Sequence, residues 1–231
     1  MELTKLLRER AVDAAYNSLR QAILSYGLKP GARLNVDELA SQLGVSLTPV
    51  RGAIQRLATE GLVEVRPRSG TFVATLSLQD IEETFQIRCA LECLAAELAA
   101  GRISSQELRS LKGVLKELRK PMRDQASREA HERLNSEFHL AILVASGNRR
   151  LMEMYSALNA HIKIARIHAS ESEWNARQRQ ETSEHEAILA GLESGDAQAA
   201  AEALRKHIYR AKDALLGALR ARLAAESQGV S

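Results

Sequence analysis

The stretch of sequence that decides the fold is residues 35–73, which read NVDELASQLGVSLTPVRGAIQRLATEGLVEVRPRSGTFV. Its first part carries apolar residues at helical spacing, and this pattern stops at Gly44. Ser46 or Thr48 can cap a second helix, whose apolar stripe continues until Gly61. Two short helices joined by a tight turn predict a helix-turn-helix.

The residues after this motif change to strand patterning. Residues 62–65 favour a strand, residues 66–70 have the composition of a turn, and residues 71–73 favour a returning strand. A further helix is predicted before the motif, over residues 12–26. Together these elements predict a winged helix-turn-helix domain over residues 1–75. A helical hairpin with an incidental β-hairpin is the alternative.

The rest of the chain, residues 76–231, has helical periodicity and no strand pattern. Glycines and a proline separate the helices, and Ser104 with Glu107 has the spacing of a capping box. The sequence therefore predicts a mainly α protein, in which a C-terminal all-α bundle of about six helices follows the winged domain. The helices are predicted over 78–100, 105–120, 124–146, 149–170, 175–193 and 197–225.

The composition is that of an ordinary globular protein. Of the 231 residues, 45% are apolar and 26% are charged, which excludes disordered, collagen-like and disulfide-stapled classes. The sequence has neither an apolar run long enough to span a membrane nor a signal-peptide pattern, so we expect a cytoplasmic protein. The two cysteines, Cys89 and Cys93, lie four apart in a helical pattern and are expected to be reduced and buried.

The positive charge is concentrated at the N-terminal end. Residues 1–75 contain ten Lys and Arg against seven Asp and Glu, whereas residues 76–231 contain 22 of each kind. A basic end with a neutral remainder is typical of a nucleic-acid-binding module attached to another domain. A DNA-packaging role is a weaker alternative, because it usually requires far more Lys and Arg than a net charge of +3 indicates.

Polar side chains of the second helix in the motif are candidates for reading DNA. Those predicted to lie off its apolar stripe are Thr48, Arg51, Gly52 and Gln55. Arg51 can pair with guanine or a phosphate, and Gln55 can pair with adenine. In the wing, Arg66 and Arg68 can contact phosphates or a minor groove. For each residue alone, a solvated surface side chain is the alternative.

Several histidines fall on the apolar stripes of the predicted bundle helices. Asn135 and His139 are four apart on one helix, and His185 and His207 lie on two others. Buried imidazoles need partners, and a shared metal ion would satisfy them together. Separate hydrogen bonds are the alternative that spacing leaves open.

Two arginines, Arg88 and Arg166, also border apolar stripes. A buried guanidinium requires an anion, which can be an internal carboxylate or an acidic ligand.

The sequence lacks the Walker A, dinucleotide-binding and nucleophile-elbow motifs of common enzyme classes. Residues 131–135, HERLN, match a zinc-protease motif until the last position, where Asn135 stands in place of histidine. This match is therefore discounted. A metal-dependent hydrolase that uses the metal site of the helical domain is the alternative function, with Glu181 as the base one turn before His185.

Motifs in both halves carry a family resemblance. In the winged domain they are LAxxLGVSxTPVRxAIxxL from Leu39, EGLV from Glu60 and GTFV from Gly70. In the bundle they are Arg88 with Leu91-Glu92, Asn135 with Phe138-His139, Gly147-Asn148, Glu184-His185, Gly195-Asp196 and His207. In this order the motifs resemble the GntR-family transcription regulators of the FadR type, which have an FCD effector domain. The number of predicted bundle helices fits the VanR-like subgroup.

The resemblance implies a non-enzymatic regulator that binds a metabolite. In it, Asn135, His139, His185 and His207 would hold a divalent transition metal of the Zn, Ni or Mn class. A small organic acid would bind at this metal, assisted by Arg88 and Arg166. The resemblance also implies a homodimer on a pseudo-palindromic operator of double-stranded DNA. The predicted DNA-binding residues are Arg33, Ser46, Leu47, Thr48, Arg51, Gln55, Arg66, Arg68 and Gly70.

Three positions depart from the family pattern. Many relatives carry Arg where Leu47 stands, so their operator sequence does not transfer, and a thymine methyl group becomes a plausible partner. Gly52 replaces a common Glu and costs its helix about 1 kcal/mol relative to Ala. Asn135 replaces the more frequent Asp and removes a negative charge, so weaker metal binding is expected.

Overall fold

The computed structural model describes residues 2–24, 27–75, 77–156, 158 and 174–228. These residues fall into two compact units, which we call the winged unit, up to residue 77, and the helical unit, from residue 78 onward. Arg166, one of the predicted effector-binding residues, lies outside the described residues.

The winged unit contains the predicted helix-turn-helix. Asn35 caps its first helix, because the side-chain oxygen accepts hydrogen bonds from the backbone N–H groups of Asp37 and Glu38. The helix ends at Gly44, whose φ of 64° is left-handed and easy for glycine. The elements of this unit are α1 (Glu2–Leu24), β1 (Arg33–Leu34), α2 (Val36–Leu43), α3 (Leu47–Thr59), β2 (Val63–Arg66) and β3 (Gly70–Val73).

The wing is a three-stranded antiparallel sheet with the order β1-β3-β2. In the β2–β3 hairpin, Val65 pairs with Thr71 and Arg66 with Gly70. The hairpin confirms the winged prediction. The sequence pattern did not predict β1, because a strand of two residues is too short to show alternation.

Two other features of the winged unit differ from the sequence prediction. Helix α1 begins at Glu2 rather than near Val12, and its first ten residues contain no Gly or Pro that would stop it. Gly52 was expected to face outward with Arg51, yet a Cβ at Gly52 would lie 3.3 Å from a methyl group of Val12 on α1. Gly52 therefore allows α1 and α3 to pack closely.

The helical unit consists of helices, as predicted, and its described residues include no strand. α4 packs against α6, α8 and α9, while α5 packs against α6 and α8. At Gly191 a Cβ would lie 2.6 Å from the backbone nitrogen of Ala200, so only glycine permits the close approach of α8 and α9. The elements are α4 (Leu78–Ala100), α5 (Ser105–Leu118), α6 (Gln125–Ala145), α7 (149–156), α8 (Trp174–Ser194) and α9 (Ala197–Gln228).

The predicted capping box at the start of α5 is present. The Ser104 hydroxyl accepts from the backbone N–H of Glu107, and the Glu107 carboxylate accepts from the backbone N–H of Ser104. A second box, Asp124 with Ser127, begins α6. Within the described ranges, we find no helix that combines the length and the apolar character needed to cross a membrane.

Candidate metal centre and nucleic-acid interface

Three buried histidines from three helices meet inside the helical unit. His139 lies on α6, His185 on α8 and His207 on α9, and none of them is more than 1% exposed. One ring nitrogen from each lies within 4.8 Å of the others. Nε2 of His139 is 3.2 Å from Nε2 of His207. The structure thus brings together the three histidines that the apolar stripes singled out.

Two carboxylates orient two of these rings. Oε2 of Glu92 lies 2.6 Å from Nδ1 of His139, and Oε2 of Glu184 lies 2.9 Å from Nδ1 of His207. An imidazole nitrogen that donates to a carboxylate carries the hydrogen, so the other nitrogen presents its lone pair. The two Nε2 atoms therefore face each other as bases. Two lone pairs at this distance repel unless a proton or a cation lies between them.

The surroundings favour the neutral form of His185 and His207 and the charged form of Glu92. Burial, followed by the neighbouring imidazoles, lowers the pKa of His185 and of His207 well below the ordinary value. Burial opposes ionisation of Glu92, but the charge of Arg88 and the hydrogen bond with His139 outweigh it and hold the pKa of this carboxyl well below its usual range. Neutral imidazoles are the form that binds metal ions.

Asn135, the fourth predicted ligand, is buried one turn before His139 on α6. Residues four apart share one side of a helix, so Asn135 lies on the face that carries His139. His131, a turn earlier, is also buried, and its Nε2 lies 3.5 Å from Oε2 of Glu181. Glu181 in turn precedes His185 by one turn of α8. A polar seam thus continues along α6 and α8 from the histidine cluster.

Arg88 is fully buried beside this cluster. Its Nε donates to Oε1 of Glu92 at 2.6 Å, while the other oxygen of Glu92 holds His139. One carboxylate therefore connects the guanidinium to the cluster. Among the described residues, Nη1 and Nη2 of Arg88 have no hydrogen-bond partner. A buried guanidinium with two free donor groups is suited to bind an anion.

Glu92 and Glu184 stand in the family motifs, but helical periodicity alone does not assign them as orienting carboxylates. For Glu92 a signal exists, because it stands four residues after Arg88 on the same helix, at ion-pair spacing. For Glu184 the signal is weak, since its partners His207 and Arg210 lie on another helix. Only the packing of α8 on α9 reveals this contact.

In the winged unit, the predicted DNA contacts on α3 are mostly exposed. Ser46 is the N-cap residue of α3, and Thr48, Arg51 and Gln55 are exposed along the helix. Leu47 is half-buried and packs against the core of the winged unit. Helix α3 therefore presents a polar row away from its core, with Leu47 only partly available.

The two wing arginines predicted to contact DNA, Arg66 and Arg68, lie in different surroundings. Nη2 of Arg66 donates to Oε2 of Glu64 at 2.8 Å, and the guanidinium lies 4.6 Å from the centre of the Phe72 ring. Arg68 is exposed in the turn, with a left-handed φ of 63° that few residues other than glycine adopt. Arg66 is thus held by intramolecular contacts, while Arg68 projects from the turn of the wing.

Arg33 and Gly70 lie side by side in the wing sheet. A Cβ at Gly70 would be 3.0 Å from Nε of Arg33, and the glycine has a φ of 122°. Glycine at this position therefore gives the exposed Arg33 side chain room next to the hairpin.

These features define a class of protein: a winged helix-turn-helix DNA-binding protein with an attached all-α domain. Models of two families match the chain, "Bacterial regulatory proteins, gntR family" over residues 11–73 and "FCD domain" over residues 83–210. The chain belongs to the GntR family of transcriptional regulators and carries an FCD domain.

Known relatives agree with this assignment. YdhC of Bacillus subtilis (strain 168), an uncharacterized HTH-type transcriptional regulator, is 34% identical over 152 residues, which cover 66% of this chain and 68% of YdhC. The regulator McbR of Escherichia coli (strain K12) is 31% identical over 180 residues, which cover 78% of this chain and 81% of McbR. These relatives are regulators and not enzymes, so the hydrolase alternative is wrong.

Solved structures show the same architecture. The structure of E. coli McbR/YncC superposes with a TM-score of 0.73 at 28% identity, covering 89% of this chain and 96% of the other. The metal-free FCD domain of TM0439 superposes with a TM-score of 0.52 at 25% identity, covering 64% of this chain and 99% of that domain.

Proposed function

We propose that the protein is a homodimeric, metabolite-responsive regulator that acts in the cytoplasm. Residues 1–75 would bind a pseudo-palindromic operator, and residues 76–231 would bind a small organic acid and form the dimer. The operator contacts would come from the residues predicted above on α3 and the wing. The exposed polar row of α3 supports this part of the proposal. Assignment to the VanR-like subgroup rests on the predicted helix number.

The proposed metal ligands are Asn135, His139, His185 and His207. The donor set supports this, because neutral imidazoles held by carboxylates suit divalent ions of the Zn, Ni and Mn class. When bound, such an ion supplies a positive centre that attracts a carboxylate. The protein's part is to hold the imidazoles in place and to exclude water around them.

Arg88 is the observation that carries the effector proposal. Its two Nη groups are buried and have no hydrogen-bond partner within the described part of the chain, and one carboxylate connects its Nε to the histidine cluster. Burying charged donors without a hydrogen-bond partner costs free energy. An anion that pairs with these donors removes this cost, which favours its binding. A small carboxylate can bind the metal and Arg88 together. Arg166 is proposed as a second effector-binding residue.

A thermal-shift screen of organic acids tests the effector proposal. The active acid should raise the melting temperature of the metal-loaded protein, and chelation should abolish the shift. The Arg88→Lys variant keeps a charge beside Glu92 but loses the planar guanidinium, so it should bind the acid more weakly while retaining metal. An acid that stabilises Arg88→Lys as much as the natural protein would contradict this role.

Metal analysis provides the second test. As-purified protein, or protein incubated with excess zinc, nickel or manganese, is expected to hold one divalent ion per chain at the histidine cluster. The His207→Ala variant should lose this ion, because one of three converging imidazoles is removed. Substoichiometric occupancy in the natural protein after incubation with all three metals would refute the site.

Arg51→Ala is expected to weaken operator binding by about 1–3 kcal/mol and to relax specificity at one position in each half-site, if Arg51 reads a base. Gel-shift titration against operator and random DNA measures both effects. Arg68→Ala is the matched comparison: it should weaken binding to both DNAs and reduce the salt dependence. Unchanged affinity of Arg51→Ala for both DNAs would show that α3 does not read the operator through this residue.

Exposed apolar side chains on two helices support the homodimer. Ile87, Leu94 and Leu98 share one side of α4, and Leu140 and Val144 lie one turn apart on α6. All five are between 39% and 55% exposed, which is unusual for large apolar residues in such a row. Leu94→Glu should shift the sedimentation of the purified protein from dimer to monomer. A dimer of unchanged stability would place the interface elsewhere.

A further inference from the structure

Cys89 and Cys93 form a close pair of thiols on α4. Their Sγ atoms are 3.8 Å apart, and each residue is 4% exposed. The Cys93 sulfur also lies 3.4 Å from the carbonyl oxygen of Ala201 on α9, which is a second acceptor within reach of its single S–H hydrogen. The pair is thus fixed between two helices, and it lies on the same turns of α4 as Arg88 and Glu92.

The helix disfavours a disulfide between these residues. Side chains four apart on a helix have Cβ atoms about 5–6 Å apart, whereas a disulfide needs about 3.5–4.5 Å. Oxidation would therefore distort α4. A metal ion requires less distortion. At the Zn–S bond length of about 2.3 Å and a tetrahedral angle, two thiolates are about 3.8 Å from each other, which is the observed separation of the sulfur atoms. A larger ion such as Cd²⁺ has longer bonds to sulfur and needs the two atoms slightly further apart.

An acidic groove on the surface lies near the pair, although neither cysteine lines it. Ala201, whose carbonyl group contacts Cys93, is one of its lining residues. Around it the groove is lined by the carboxylates of Glu97, Asp196 and Glu202 and by the guanidinium of Arg205. Glu202 forms an ion pair with Arg205, so the carboxylates of Glu97 and Asp196 are the ones that can attract cations.

The electrostatics of the pair favour a thiolate. A hydrogen bond from Cys93 and the charge of Arg205 lower the pKa of Cys89 to about 7, although burial raises it. The pKa of Cys93 is raised by its hydrogen bond to Cys89 and by burial. The pair therefore gives up one proton easily and holds the second, which a bound cation would displace.

We propose that Cys89 and Cys93 form a second metal site, distinct from the histidine cluster, which takes a thiophilic cation such as Cd²⁺. Soft thiolates select such ions over the harder ones that imidazole and carboxylate accept. Binding forms two metal–sulfur bonds and releases the thiol protons to solvent, with no change of oxidation state. The carbonyl oxygen of Ala201 lies beside Cys93 as a further ligand atom.

Titration of the full chain with Cd²⁺ tests this proposal. A sulfur-to-cadmium charge-transfer band in the ultraviolet reports thiolate ligation and is silent for imidazole ligation. The band should saturate at one ion per chain, and both thiols should lose their reactivity toward a thiol reagent. If the natural protein shows no such band, the proposal is overturned, and no variant is needed to reach that conclusion.

Two variants identify the ligands. The double variant Cys89→Ser/Cys93→Ser keeps side chains of similar size and should lose the band, while circular dichroism checks that its helices are intact. His207→Ala should keep the band, because it alters only the histidine cluster. A band that persists in the double variant, or one that disappears in a folded His207→Ala protein, would refute a separate dithiol site.

Discussion

Replacing Glu92 with glutamine is expected to destabilise the protein by about 3–5 kcal/mol, because it leaves Arg88 as a buried charge without its counter-ion. Glu92 is 1% exposed, and its two oxygens hold Arg88 and His139 at 2.6 Å each. The amide keeps the shape of the side chain but loses the charge. Only the carbonyl oxygen of the amide can accept, so either Arg88 or His139 faces an NH2 group in place of an acceptor.

Urea unfolding followed by circular dichroism measures this loss, and Glu83→Gln on the exposed side of α4 is the matched control. The control should change the free energy of unfolding by no more than about 0.5 kcal/mol. The same Glu92→Gln protein should bind metal about 10–100-fold more weakly, since His139 loses the carboxylate that orients it. If Glu92→Gln were as stable as Glu83→Gln, the ion pair would not be a major contributor to the fold.

The winged fold was predictable from the sequence because its signals are local. Caps, glycine stops and helical stripes between Asn35 and Val73 each specify a few neighbouring residues, and the hairpin follows from a turn sequence between two short apolar runs. The bounds of the described bundle helices were predictable for the same reason, whereas the end of the predicted helix 149–170 lies outside the described residues. The short strand β1 was not predicted, and Gly52 was predicted to face outward although it packs against α1. Each feature depends on a partner far away in sequence, Phe72 for β1 and Val12 for Gly52.

The candidate site was predictable only in its buried polar residues. A histidine or arginine on an apolar stripe can be recognised from the sequence alone. His139, His185, His207 and Arg88 could therefore be singled out. Which carboxylate each one meets depends on how the helices pack. His207 meets Glu184 across the α8–α9 contact, 23 residues away in sequence. Helical periodicity shows which face of each helix is buried, but it does not show which other helix packs against that face.

The effector response is expected to disappear in His207→Ala, while DNA binding by the winged unit stays largely intact. A ligand changes operator affinity only if it binds two states of the protein with different affinities. Under the proposed function, the metal and the acid connect α6, α8 and α9 with Arg88 on α4. Removing one imidazole would break that connection. His207 is the suitable residue to remove, because its partner Glu184 keeps a second contact with Arg210 at 2.6 Å.

Operator titrations with and without the acid measure this response. In the natural protein the acid should change operator affinity by about 5- to 150-fold, and operator should change acid affinity by the same factor, because coupling is reciprocal. In His207→Ala protein shown to lack metal, both factors should fall to one. Lys206→Ala, at the exposed neighbouring position on α9, should keep the full response. An acid that still shifts operator affinity equally in metal-free His207→Ala would place the sensing site outside the histidine cluster.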